Sequence, residues 1–290
     1  MNVYVPVLNG AKNRWVFPVF LGDGLSLVGL AGDDYSNSVG AASHEIRQLV
    51  KKDTLSIRLS VTSDRPNVLK DIESVVFLLN ARSGGVPVQC PIAVADDKAW
   101  SPAYLPYAYQ VAPRINWKLD KLMNAGELAA LASAVRSVYA HSPSAQVAVN
   151  RLLLSTYRTS DVDRIIDLAI AFESLVSSAT EVSFKCALFN AFASRRTPEQ
   201  RMSAFKDIKA LYDLRSNLVH GALSADSKKV SDFAVKMDGL YKLCAKAIIA
   251  YVFFVQDLAD PATKKLPSTN KIDQEWSLRQ LELVMGVTNQ

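Results

Sequence analysis

Over the first third of the chain, apolar residues come in short bursts separated by Gly, Asn, Asp and Pro. Residues 3–8, 15–20, 25–30, 55–61 and 86–95 are rich in Val, Ile, Phe and Leu and are bounded by turn-forming residues, which predicts strands. The clearest is Leu55-Ser56-Ile57-Arg58-Leu59-Ser60-Val61, where apolar and polar positions alternate as a half-buried strand requires. Two helices are predicted between the strands, over 42–51 and over 67–81. The second carries Val68, Ile72, Val75, Val76 and Leu79 at helical spacing. Residues 101–117 hold three Pro and four aromatics and read as an irregular connector.

From about residue 119 the period changes from two to 3.6, and six or seven helical stretches follow. Ser160-Asp161-Val162-Asp163 and Thr197-Pro198-Glu199-Gln200 have the form of capping boxes, with Pro198 at the first helical position, where its missing N–H costs nothing. Ile165, Leu168, Ala169, Phe172, Leu175 and Val176 form one apolar stripe, and Phe205, Ile208, Leu211, Leu214 and Leu218 a second. A third runs from Val230 through Met237, Leu240, Cys244, Ile248 and Tyr251 to Leu258, close to eight turns as one helix. Residues 261–271 read as a polar linker and 273–285 as a short closing helix. The expected fold class is α+β: a mixed α/β domain over 1–118, then an all-α bundle over 119–290.

Composition narrows the class. Of 290 residues, 49% are hydrophobic and 21% charged, which excludes a largely disordered chain. Lys and Arg number 33 against 28 Asp and Glu, a net charge of +5 that permits a polyanionic partner without demanding one. Cys90, Cys186 and Cys244 are too far apart for a CxxC pair, so buried reduced thiols are expected rather than a disulfide framework or a metal knuckle. The first residues lack a basic segment followed by an apolar one, so no signal peptide is expected. The most apolar run, 247–255, is far short of the roughly 20 residues that cross a bilayer. These features predict a soluble, cytoplasmic protein with no membrane contact.

Most enzyme signatures are missing. Gly22-Asp23-Gly24 begins like a dinucleotide loop but lacks its third Gly, and His44-Glu45 meets Gln48 where a zinc protease needs a second His. No metal site and no cofactor are expected, and His44 and His141 read as surface or locally bonded residues. His220 is different. It falls in the last turn of the helix that starts at Pro198, with Gly221 placed to end it, at the pole of the helix dipole that favours a cation. Arg215 lies five residues earlier, about 140° around the axis. Two side chains so placed diverge, and a second copy of the helix is a natural way to complete the pair. Ser216 and Asn217 add two polar groups. An imidazole to move protons and a guanidinium to hold a phosphorane suit cleavage of RNA through its 2′-hydroxyl.

The block Tyr212-Asp213-Leu214-Arg215-Ser216-Asn217-Leu218-Val219-His220-Gly221 resembles the signature of Apea-like HEPN domains. Upstream, the helix from Asp163-Arg164-Ile165 to Phe172-Glu173-Ser174-Leu175 is similar to that family's first core helix, and residues 184–196 to its next. The resemblance covers about 145–258 and departs from the family at Ser216, where Asn, Asp or His is usual, and over 184–196, which lacks the usual small-Leu-Leu-Gly ending. It implies an all-α bundle that forms homodimers and a metal-independent endoribonuclease of prokaryotic antiviral defence or a toxin–antitoxin pair. It would cut single-stranded RNA or tRNA loops and answer to an antitoxin or a phage-derived trigger. Arg215 and His220 match the catalytic Arg and His, with Ser216 or Asn217 in support. Glu173 is read either as a salt bridge that orients Arg215 or as an ordinary surface residue, Tyr212 and Asp213 as packing or hydrogen-bonding near the site, and Arg195 and Arg196 as holding phosphates or as a solvated helix end. From Glu181 to Lys242, eleven basic and seven acidic residues concentrate a net +4 near the motif. Some relatives only bind RNA or a partner, so a non-catalytic binding or sensor module is the alternative. Residues 1–118 carry no recognisable chemistry, and sensing or docking is the role left to them.

Overall fold

The computed structural model describes residues 2–6, 19–22, 24–29, 55–60, 68–82, 94–95, 125–176, 181–263 and 265–286. The chain divides into two compact units, Met1–Arg136 and Ser137–Gln290. In the first, the predicted alternation becomes one antiparallel sheet of β1 (Asn2–Pro6), β2 (Val19–Gly22), β3 (Leu25–Gly29), β4 (Leu55–Ser60) and β5 (Val94–Ala95), in the order β2-β3-β4-β1-β5. Period two sets the register. Leu59 stands opposite both Val3 and Leu25, and Ile57 opposite both Val5 and Leu27, so the apolar positions of three strands line up in two rows. Leu25 and Leu27 are fully buried. Helix α1 (Val68–Arg82) lies against β4 and buries Val75, Val76, Phe77 and Leu78. The helix predicted over 42–51, the connector over 101–117 and Cys90 lie outside the described residues.

Helix α2 (Ala125–His141) runs through the division between the units. The Arg136 guanidinium donates to the Leu21 carbonyl at 3.4 Å within the first unit. The division between these compact units falls inside α2, and the residues around the predicted boundary near 118 lie outside the described ones. His141 is exposed, and its Nδ1 donates to the Ser137 carbonyl at 2.7 Å, a local bond of the kind expected. A single residue, Ser142, then turns the chain into α3 (Pro143–Tyr157). Its hydroxyl accepts from the Ala145 N–H and meets the Tyr251 hydroxyl at 2.9 Å.

The second unit continues with α4 (Asp161–Glu173), α5 (Val182–Ser194), α6 (Pro198–Val219), α7 (Lys228–Ala234), α8 (Met237–Asp257) and α9 (Thr269–Met285). The caps are where the sequence put them: Ser160 Oγ accepts from the Asp163 N–H and Thr197 Oγ1 from the Gln200 N–H, both at 3.3 Å. The connections 158–160 and 195–197 are short, and the helices they join, α3 with α4 and α5 with α6, pack as pairs. Helix α8 is apolar over most of its circumference. It buries Leu240, Tyr241, Leu243, Cys244, Ile248, Tyr251, Val252 and Val255 against α3, α4 and α5. Each such large side chain contributes roughly 1.5–3 kcal/mol. Among the described residues no helix is long and apolar enough to cross a membrane.

Two expectations are corrected. The stripe from Val230 to Leu258 is not one helix: α7 ends at Ala234, the Lys236 N–H bonds the Phe233 carbonyl, one residue short of an α-helical bond, and α8 restarts at Met237. Periodicity survived the break because Val230 and Met237 are both buried on either side of it. The closing helix begins at Thr269 instead of 273, which shortens the linker predicted over 261–271.

Candidate functional site

The quoted motif forms the C-terminal half of α6. Its stripe buries Ile208, Leu211 and Leu214, while Phe205 and Leu218 at its ends are half-buried. The helix stops as Gly221 predicted. Gly221 adopts φ +71°, its N–H bonds the Leu218 carbonyl at 3.2 Å, and the Ala222 N–H reaches back to the Asn217 carbonyl at 2.9 Å. This double closure is the Schellman arrangement, which only a residue free of Cβ strain completes cheaply. His220 is the cap residue, with its N–H on the Ser216 carbonyl at 3.0 Å. Its backbone is therefore fixed while its imidazole is exposed.

Arg215 turns to the bundle. Its Nη2 lies 4.0 Å from Glu173 Oε2, at the end of α4, and its guanidinium carbon lies 5.7 Å from the Tyr212 ring centre. That ion pair is long beside the 2.7–2.9 Å of a charge-assisted hydrogen bond. The Arg215 Nε is buried and has no hydrogen-bond partner. An unsatisfied buried donor costs about 1–3 kcal/mol, and such an exception calls for a reason.

Glu173 is held by residues that sequence reasoning passed over. The Asn190 amide donates to the carbonyl of Phe172, one residue before Glu173, at 3.1 Å and to its own helix at Cys186 at 2.9 Å. From α9, Trp276 Nε1 and Gln280 Nε2 both donate to the Leu175 carbonyl, at 2.8 and 3.2 Å. The end of α4 is thus fastened from two sides. One signal was legible: Asn190 interrupts an apolar helix between Phe189 and Ala191, and a buried amide has to find partners. Burial, aided by the Glu173 charge, pushes the Cys186 thiol up to about 12, against a smaller lowering from Asn190. Burial and then Glu173 also raise the Tyr212 phenol, with Arg215 pulling the other way. Neither group is an ionised nucleophile near neutrality.

The structure gathers Arg215, Glu173 and Tyr212 in one cluster and leaves the other named residues apart from it. Arg215 and His220 share no hydrogen bond or ion pair, in keeping with their divergence around the helix. Ser216 is half-buried and Asn217 exposed, and their carbonyls serve the helix end. Asp213 faces solvent and pairs with Lys209 at 3.0 Å, an ordinary i,i+4 contact. Arg195 and Arg196 precede the first turn of α6, so roughly 30 Å of helix separates them from His220. The Arg195 carbonyl takes the Arg201 Nε at 3.1 Å, and Arg196 is exposed.

Chemically, the cluster offers a guanidinium with an unpartnered donor, and the exposed imidazole of His220 stands apart from it. Among the described residues, no three His, Cys, Asp or Glu side chains stand together as metal ligands would. No protein family, curated protein or solved structure matches this chain, so the likeness to HEPN domains rests on the residues quoted for it.

Proposed function

We propose that the helical unit is an HEPN-type endoribonuclease that cuts single-stranded RNA or tRNA loops without a metal, in a prokaryotic defence or toxin–antitoxin setting. The observation that carries the reading is the state of Arg215: a partly exposed guanidinium whose one ion pair is long, leaving terminal donors that a phosphoryl oxygen would take. In this reading Arg215 binds the non-bridging oxygens and Glu173 is its positioning residue. His220 takes the proton from the 2′-hydroxyl as the 2′-oxygen bonds to phosphorus. The bond from phosphorus to the 5′-oxygen breaks, and that oxygen leaves with a proton from a second imidazole, that of His220 in a second copy. The products are a 2′,3′-cyclic phosphate and a 5′-hydroxyl, and DNA, lacking the 2′-hydroxyl, is spared. The divergence of Arg215 and His220 on one helix supports a homodimer in which each site draws on both copies. Residues 1–118 would dock or sense a trigger.

The separation of the two side chains also favours a second reading, in which the end of α6 is a non-catalytic surface for RNA or a partner. End-labelled tRNA and single-stranded RNA, incubated with the protein in excess EDTA, separate the two. The ribonuclease reading expects products ending in a 2′,3′-cyclic phosphate and a loss of about 10²-fold or more in His220→Ala. It expects a comparable loss in Arg215→Lys, because an ammonium does not replace a two-pronged guanidinium. A folded protein that leaves RNA intact with and without Arg215 would move the assignment to the binding surface.

A further inference from the structure

The other end of α6 carries a feature the motif does not use. Helix α5, the first two turns of α6 and the last turn of α9 enclose an open groove of about 550 Å³. Its walls are Phe184, Leu188, Phe192, Met202, Phe205 and Leu283, with Phe184 and Phe205 meeting edge to face at 5.6 Å. Phe184 and Met202 stand at the rim, 50% and 56% exposed. The size and the aromatic lining are those of a small-molecule site.

Among the described residues lining the groove, Arg201 alone is charged. Its guanidinium carbon lies over the Phe192 ring, 4.4 Å from the ring centre, and its Nε donates to the Arg195 carbonyl at 3.1 Å. Two contacts therefore fix the cation on an apolar wall, and no carboxylate among the described residues pairs with it. The nearest in sequence, Glu199, is engaged with its own backbone N–H and the Thr197 hydroxyl. A fixed guanidinium with free terminal donors is prepared for a two-pronged anion. The remaining walls are prepared for hydrocarbon.

We propose that this groove binds an amphipathic anion, a free carboxylate with an aliphatic chain of roughly ten carbons, its head on Arg201 and its chain along Phe184, Phe205 and Leu283. A nucleobase fits less well. Its polar edge would be buried against side chains that offer no partner besides Arg201, at a cost of about 1–3 kcal/mol for each unsatisfied group. The proposal stands apart from the ribonuclease reading, because the groove and His220 lie at opposite ends of α6.

Calorimetric titration of the full chain with dodecanoate, below its micelle concentration, tests it. One molecule should bind per chain, about tenfold or more tighter than dodecyltrimethylammonium, which has the same chain and the opposite charge. Arg201→Gln should bring the two amphiphiles to within about twofold of each other by removing the charge selection. Met202→Glu, at an exposed position, should weaken dodecanoate about tenfold while leaving the melting temperature in place. Absence of saturable binding, equal binding of the two amphiphiles, or indifference to Arg201→Gln would overturn the proposal. So would a dimer that Met202→Glu splits in sedimentation, which would give the groove to a second copy, or displacement of dodecanoate by a short single-stranded RNA.

Discussion

Gly221 and His220 are neighbours with different obligations. Gly221 holds φ +71°, and a Cβ built there meets no atom within 4 Å, so a side chain would suffer from backbone strain alone. Gly221→Ala should therefore cost about 1–2 kcal/mol, with Gly221→Asn recovering part of it, as thermal melts would show. A loss near zero for Ala would mean that the helix end is not closed in this way. His220 occupies a cap position open to many residues, so its identity is not required by the fold. At this scale the sequence was informative where one residue type has one reason to be present. Glycine after a helical run announced the cap, and Arg, Ser, Asn and His at their spacing announced a candidate site. It was silent on partners far along the chain. Nothing local says that Asn190 reaches Phe172, because that depends on how the helices cross, whereas the angle of about 140° between Arg215 and His220 already set the two side chains apart.

Among the elements, α3 and α4 are joined by a buried charge. The Asp167 carboxylate, 3% exposed, takes Arg151 Nη1 and Arg158 Nε at 2.8 Å each, one bond per oxygen. Leaving that carboxylate without either arginine strands a charge in the interior. The double variant Arg151→Ala, Arg158→Ala should lose about 3 kcal/mol, read as a lower urea midpoint with little change in slope. Asp167→Asn in the same background should restore part of it, since a neutral amide is cheaper to bury. Helix starts and apolar faces were readable because caps and stripes are local, and the stripe of α4 is buried from Ile165 to Val176 as its spacing required. The break between α7 and α8 was not. A helix that restarts in phase keeps its period, and the sequence pattern records only the period.

For the helical unit as a whole, the buried thiols and phenols share one direction. Burial first, with a smaller contribution from Glu173, raises Cys186 to about 12, and burial raises Cys244 well above its usual value. Burial likewise raises Tyr251 to about 12, partly offset by its bond to Ser142, and raises Tyr241. Each group keeps its proton when folded at pH values where the unfolded chain has released it. The folded state then binds more protons, so stability falls as pH rises. The melting temperature should hold steady from neutrality to about pH 9 and decline between 9 and 12, and a flat profile there would contradict this burial. Composition alone could not foresee it, since the same cysteines and tyrosines at the surface would titrate normally. The fastening of α4 by α9 has a consequence in time. The Leu175 carbonyl waits for Gln280, 105 residues later in the chain. During synthesis at about 5–20 residues per second, that is an interval on the order of ten seconds. A nascent chain already carries Glu173 and Arg215 while the clamp that holds the end of α4 is still unmade, so the cluster is among the last parts of the helical unit to reach its final form.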